Sequence, residues 1–227
     1  MAKTVGIIGG TGGMGKGFAI RWARSHPILV GSRDAARAAD AAAAYQKEAD
    51  AAYGGQASSI TGGANPEVAE NSDILILSIP YGNIDATCPG ILSRVRDGCT
   101  VVSPIVPMEK TDTGFEFIPI RDIGAKTSHE SVAAHMKDGG RSLVSAFHVI
   151  SEKKLANPSV TLDYDIFVCG DDERATGEIC GLISEVEGLR PILLGPGKLA
   201  YMAEIATPLL LNAMIRNKMR NPGIKLV

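Results

Sequence analysis

Gly10, Gly12 and Gly15 recur at the G-x-G-x-x-G interval, directly after the apolar run Val5-Gly-Ile-Ile and before Met14, Phe18 and Trp22, which fall at helical spacing. A bend of this kind between a strand and a helix suits a pyrophosphate. The first glycine lets the chain turn, the second lets the backbone approach the phosphates, and the third lets helix and strand pack closely. The helix N-terminus contributes unpaired N–H groups and the positive end of its dipole. Gly10, Gly15 and Lys16 also match G-x-x-x-x-G-K, but a triphosphate loop needs Ser or Thr next to ligate magnesium, and here Gly17 follows. A turn built for packing alone would need one or two glycines.

The second group with chemistry in it is Gly31-Ser32-Arg33, with Arg37 four residues on. A carboxylate about 20 residues beyond the glycines accepts hydrogen bonds from the ribose of NAD, whereas an arginine there accommodates the 2'-phosphate of NADP. Arg33 offers a guanidinium fork, Ser32 a hydroxyl, and Arg37 lies one helical turn away. Asp34 reads instead as the start of the alanine-rich helix expected over 35–52. NADP is therefore favoured over NAD.

No familiar catalytic set is complete. The histidines are His26, His129, His135 and His148, without an H-E-x-x-H or other metal spacing, and no G-x-S-x-G elbow occurs. Only His148 falls where strand ends should meet a cofactor. Hydride exchange with an alcohol, ketone or imine would call on His148 or Tyr81 as acid or base. If the second substrate is itself a hydride carrier, the protein need only hold donor and acceptor carbons roughly 3–3.5 Å apart.

The elements that must position these groups can be laid out in order. Strands are expected near 5–8, 28–30, 56–64, 73–80, 100–104 and 142–150, the last with His148 near its end, and further strands over 165–169 and 190–194. Helices are expected after the glycine bend, over 35–52, from Asn65-Pro66, over 84–95, 131–137 and 175–186, and at the apolar C-terminus from 199 to 215. The alternation predicts an α/β fold, a Rossmann-type doubly wound and mainly parallel sheet with a smaller C-terminal α/β extension. Residues 1–156 form the expected nucleotide domain, and 157–227 a smaller domain completing the cleft. The continuous apolar strand over 73–80 should end beside the glycine turn, which makes Ser78, Ile79, Pro80 and Tyr81 candidates for the nicotinamide half of the site. The segment 105–119, with Pro104, Pro107 and Pro119 in or beside it, is expected to be a loop-rich flap.

The totals bound the partners. The 227 residues, 45% hydrophobic and 21% charged with a net charge of −2, describe a globular protein with no general attraction to nucleic acid or a membrane surface. Cys88, Cys99, Cys169 and Cys180 show no C-x-x-C spacing and are too sparse for a disulfide framework, and the N-terminus lacks a signal-peptide pattern, so the cytoplasm is expected. The run 199–215 contains Glu204, Pro208 and Asn212 and falls short of the roughly 20 residues of a membrane span, which favours a buried or subunit-interface helix.

Taken together, Gly9-Gly-Thr-Gly-Gly-Met-Gly-Lys-Gly17, Val30-Gly-Ser-Arg33, Ser78-Ile-Pro80, Val102-Ser-Pro104, Val144-Ser-Ala-Phe-His148, Val168-Cys-Gly-Asp-Asp172 and Thr207-Pro-Leu-Leu-Leu-Asn212 resemble the NADPH-dependent coenzyme F420 reductases nearly end to end. The resemblance implies a Rossmann domain with a smaller C-terminal domain, a homodimer, and hydride exchange between NADP and the deazaflavin coenzyme F420 in the cleft. By position it implies Thr11, Gly12, Gly13 and Met14 at the pyrophosphate and Ser32, Arg33 and Arg37 at the 2'-phosphate. Ile79, Tyr81, His148 and Ile150 would border the stacked rings. The chain departs from the family's pattern at Tyr81-Gly-Asn83, where tryptophan and histidine are frequent, and at Ser151-Glu152, where proline and a small residue are expected. On the residues alone, an NADPH-dependent reductase of another acceptor (a flavin, a metal complex, a small carbonyl or imine) and a non-catalytic NADP sensor stay open.

Overall fold

The computed structural model describes residues 2–122, 124–137 and 142–227. The opening apolar run forms β1 (Val5–Ile8), buried throughout, and the glycine bend passes into α1 (Gly13–Trp22). β2 (Ile28–Ser32), α2 (Ala35–Ala52), β3 (Ile60–Ala64), α3 (Asn65–Glu70) and β4 (Ile74–Leu77) follow. β2 and β4 flank β1 in parallel, with Val5 opposite Ile28 on one side and Ile74 on the other. The winding therefore reverses at β1, and the C-terminal ends of β1 and β4 open the crevice where sheets of this class take ligands. Successive strand residues point to opposite faces. Ile7, Ile74 and Ile76 accordingly join one apolar cluster with Phe18 and Trp22, while Ile8, Leu75 and Leu77 join another with Val68 and Ile84. Both strands are apolar without alternation because both faces are covered.

Beyond β4 come α4 (Ile84–Leu92), β5 (Thr100–Ser103), β6 (Met108–Thr111), β7 (Gly114–Phe117), α5 (Ile118–Arg121), α6 (Ser128–Ala133) and β8 (Ser142–Ser145). The chain ends with α7 (Glu152–Leu155), β9 (Tyr164–Gly170), α8 (Glu173–Ser184), β10 (Leu189–Gly195) and α9 (Ala200–Arg216). Among the described residues the main sheet has eight strands in the order β10-β9-β8-β5-β4-β1-β2-β3. It is parallel from β3 to β8, β9 runs antiparallel to β8, and β10 runs parallel to β9. This is the Rossmann-type, mainly parallel α/β architecture expected.

Three local expectations are corrected. The segment 105–119 is a β-hairpin, β6 with β7, rather than a loop-rich flap. Asn212 of α9 holds it, accepting from Phe115 N at 2.8 Å and donating to Phe115 O at 2.7 Å, contacts no local pattern reveals. The helix expected over 131–137 starts earlier, at Ser128, because Thr127 and Glu130 form a reciprocal capping box. The strand carrying His148 stops at Ser145. Phe147 then adopts φ +70°, uncommon for a residue with a side chain. Its ring meets Phe18 and Trp22 edge-on, with centroids 5.2 and 5.5 Å away.

α9 is used on three sides. Ala203, Glu204 and Ala206 are buried, Tyr201, Met202, Leu209 and Ile215 are exposed, and Leu210, Leu211 and Met214 face the cleft. Among the described residues no helix is long and apolar enough to cross a membrane.

Candidate active site

A cleft of about 1070 Å³ runs along the C-terminal ends of the central strands. At its floor the bend is made by Gly9, whose φ of +69° suits glycine and whose added Cβ would lie 2.5 Å from Ser78 O. Sequence reasoning had assigned the turning glycine to Gly10. That residue stands behind the bend, its N–H donating to Gly31 O at 2.9 Å. Thr11, Gly12 and Met14 line the cleft, and a Cβ on Gly12 would find only Gly9 O, at 3.9 Å. Gly15 packs on the Gly10 backbone away from the cleft, and Gly13 lies against Glu152. α1 begins without a side-chain cap or an acidic residue in its first turn, so its N-terminal amides are left for an anion. Lys16 is turned to Glu48 on α2 at 2.7 Å, which removes it from the phosphate-loop role.

Ser32, Arg33 and Arg37 meet at one end of the cleft. The adjacent Asp34 carboxylate is committed as the cap of α2, accepting from Ala36 N at 2.9 Å and Arg37 N at 3.2 Å. Ser32 Oγ accepts from Asp34 N at 3.2 Å and keeps its own proton to donate. Among the described residues neither Arg33 nor Arg37 makes a side-chain hydrogen bond or an ion pair. Two guanidinium groups without an ion-pair partner among the described residues, with the adjacent Asp34 carboxylate turned away, are suited to a phosphate.

At the other end the cleft is lined by Ser78, Ile79, Pro80, Tyr81, His148 and Ile150. The sequence reading missed Asn65, whose Oδ1 faces Gly9 N at 3.5 Å, and Met108, Thr207, Leu211 and Met214 from the hairpin and α9. Asn65-Pro66 gave only a helix start, and the α9 residues sit in a uniformly apolar run, so nothing local distinguished the cleft-facing ones. Tyr81 donates its hydroxyl proton to Lys126 O at 2.7 Å. Thr207 Oγ1 donates to His148 O at 2.6 Å, tying α9 to the segment after β8.

His148 is buried, and neither ring nitrogen has a partner among the described residues. Burial, with His129 nearby, pushes its pKa down to about 3, so the ring is neutral near pH 7. An unpartnered buried ring on the wall of the cleft is suited to hydrogen-bond a polar group of a ligand. Together with the open glycine turn and the free arginines, it makes the residues present compatible with a dinucleotide whose nicotinamide lies at this end.

Behind His148, Glu204 is fully buried, accepting from Ser128 N at 3.2 Å and His129 N at 3.1 Å. Ser128 Oγ lies 2.7 Å from Glu204 Oε1 and 2.6 Å from Ile105 O, and one hydroxyl proton cannot serve both. Burial pushes the Glu204 carboxyl above its ordinary value, outweighing those hydrogen bonds. With the folded pKa raised, the stabilisation is complete below the unfolded value and is lost as pH rises through the folded one. We expect the melting-temperature advantage of the wild type over Glu204→Gln to be largest in acid and to shrink toward neutrality in thermal scans at stepped pH. The reverse trend would show an ionised Glu204.

Comparison with known proteins accords with this geometry. Residues 4–107 match the family described as NADP oxidoreductase coenzyme F420-dependent. The chain is 31% identical to an F420-dependent NADP reductase of Methanothermobacter thermautotrophicus, over 100% of this chain and 95% of the relative. It is 32% identical to one from Methanocaldococcus jannaschii, over 98% and 97%. Among solved structures, one from Arthrobacter sp. FB24 superposes with a TM-score of 0.76 at 17% identity, covering 100% of both chains. A reductive aminase from Aspergillus terreus gives 0.59 at 16% identity, over 95% of this chain and 62% of that one; these two likenesses show the fold alone. The full-length relatives, the matched segment and the architecture agree: the chain belongs to the coenzyme F420-dependent NADP oxidoreductase family.

Proposed function

We infer that this protein is an oxidoreductase that transfers a hydride between NADP(H) and the deazaflavin coenzyme F420. The observation that carries the reading is one continuous cleft with two arginines unpaired among the described residues at one end and an apolar wall at the other, where Ile79, Ile150, Leu211 and Met214 stand beside a neutral His148. When bound, nicotinamide and deazaflavin supply the redox chemistry as a hydride donor and acceptor. Thr11, Gly12 and Met14 would hold the pyrophosphate, with Gly13 at the first turn of α1. Gly10 and Gly15 support them from behind. Ser32, Arg33 and Arg37 would hold the 2'-phosphate, and Ser78, Ile79, Pro80, Tyr81 and Ile150 would orient the rings and exclude water. His148 serves as a neutral hydrogen-bonding wall rather than as a proton donor, since a ring with a pKa near 3 carries almost no acidic proton at neutral pH.

The division of labour follows the chain: residues 1–156 hold NADP, and 157–227 close the cleft through α9. The exposed Tyr201, Met202, Leu209 and Ile215 on that helix support a homodimer, and the free thiols Cys88, Cys169 and Cys180 support a reducing, cytoplasmic setting. The deciding experiment mixes purified protein, NADPH and oxidised coenzyme F420 and follows both chromophores. Protein-dependent loss of NADPH matched by deazaflavin reduction is expected. Tight NADPH binding without turnover would move the activity to another acceptor.

A further inference from the structure

The short helix α7 brings a carboxylate into the part of the cleft where a pyrophosphate must arrive. Arg21 of α1 fixes that helix by donating to Leu155 O and Lys154 O, each at 3.1 Å, and to Val160 O at 2.7 Å. Leu155 packs against Gly17, where an added Cβ would lie 2.7 Å from Leu155 Cγ. Ser151 caps α7 through Lys154 N. Held from both ends, Glu152 lies over Gly13, the first residue of α1: a Cβ there would be 2.9 Å from Glu152 Cγ and closer still to the carboxylate. The carboxylate has no hydrogen-bond or ion-pair partner among the described residues, and Glu152 lines the cleft together with Thr11, Gly12 and Met14. α1 has neither a capping side chain nor an acid of its own in its first turn, and Glu152 brings a negative charge to that end.

We propose that Glu152 is an affinity-setting residue: its carboxylate stands beside Gly13 at the first turn of α1 in the free protein, and the cofactor pyrophosphate must displace it or bind against it. This rests on the cofactor reading given above. Like charges brought together at an exposed site weaken binding modestly, and the exposure of Glu152 keeps the effect small. Because the pyrophosphate is common to both dinucleotides, Glu152 lowers affinity for NADPH and NADH alike and leaves their ratio unchanged.

The test compares wild type, Glu152→Gln and Glu152→Ala in titrations with NADPH, NADH and adenosine 2'-monophosphate, which carries the 2'-phosphate without the pyrophosphate. Both variants should bind NADPH and NADH about three- to tenfold more tightly. Adenosine 2'-monophosphate should bind all three proteins equally, and the unliganded variants should melt no higher than wild type. Unchanged or weaker NADPH binding by the variants, with adenosine 2'-monophosphate still bound, would overturn the role of Glu152 and leave the cofactor reading standing. Failure of wild type to bind either NADPH or adenosine 2'-monophosphate would overturn the cofactor reading itself, and this inference with it.

Discussion

Arg33→Ala is expected to weaken NADPH binding about ten- to a hundredfold while leaving NADH almost unaffected. A charge-assisted hydrogen bond to a phosphate contributes about 1.5 to 3 kcal/mol, and each 1.4 kcal/mol or so is a factor of ten. Arg33 faces the cleft, and no described carboxylate pairs with it, so nothing inside the protein is left unsatisfied when it is removed. Asp34 is held as the α2 cap and is not released to accept a ribose hydroxyl in its place. Arg37 remains, so the loss should be large but incomplete, and Arg33→Lys should recover the charge without the fork. Titrations with the two cofactors provide the check. Equal losses for NADPH and NADH would place the 2'-phosphate elsewhere.

Gly15→Ala is expected to damage the fold and the cofactor site together, whereas Gly12→Ala should spare the fold. A Cβ on Gly15 would lie 2.5 Å from Gly10 Cα and 2.6 Å from its carbonyl carbon. The obstacle is backbone, which cannot rotate aside, so α1 must move away from β1. Overpacking of this kind costs about 1 to 3 kcal/mol, and the rigid neighbour favours the upper end. In a chain of this size that lowers the melting temperature by roughly 5 to 10 °C. Moving α1 also moves its N-terminal amides, and NADPH affinity should fall by at least an order of magnitude, about 1.4 kcal/mol or more. At Gly12 the nearest atom to a new Cβ is 3.9 Å away, so the melting temperature should barely change while a methyl in the phosphate approach weakens binding. Thermal melts and NADPH titrations of the two variants separate a glycine needed for packing from one needed for approach. Equal melting temperatures would contradict the packing argument.

Much of the frame was legible because it is encoded locally. The alanine run with Asp34 ahead of it gave α2 at its observed bounds, since helix propensity and a side-chain cap act within a few residues. The apolar runs gave β1 and β4 because a strand buried on both faces must be apolar throughout. Extending the strand after β8 as far as Ile150 failed for the opposite reason. Ala146 to Ile150 is as apolar as a strand, but the stacked rings of Phe18 and Trp22 draw Phe147 into a positive φ, and that preference comes from residues more than a hundred positions away. The hairpin at β6 and β7 was obscured by the prolines that flank it, Pro107 and Pro119, and it is held by Asn212, whose partners lie almost as far along the chain.

By itself the sequence determined the order of most strands and helices, the glycine bend after β1 and the cluster of Ser32, Arg33 and Arg37 after β2, because each is written in residues adjacent in the chain. Tertiary structure alone decided which glycine turns and which only packs, that Asp34 is spent on a helix, that His148 is neutral, and that Glu152 stands over α1. Those outcomes depend on burial, on the direction of side chains and on contacts between distant segments, and a linear pattern of residue types carries none of these.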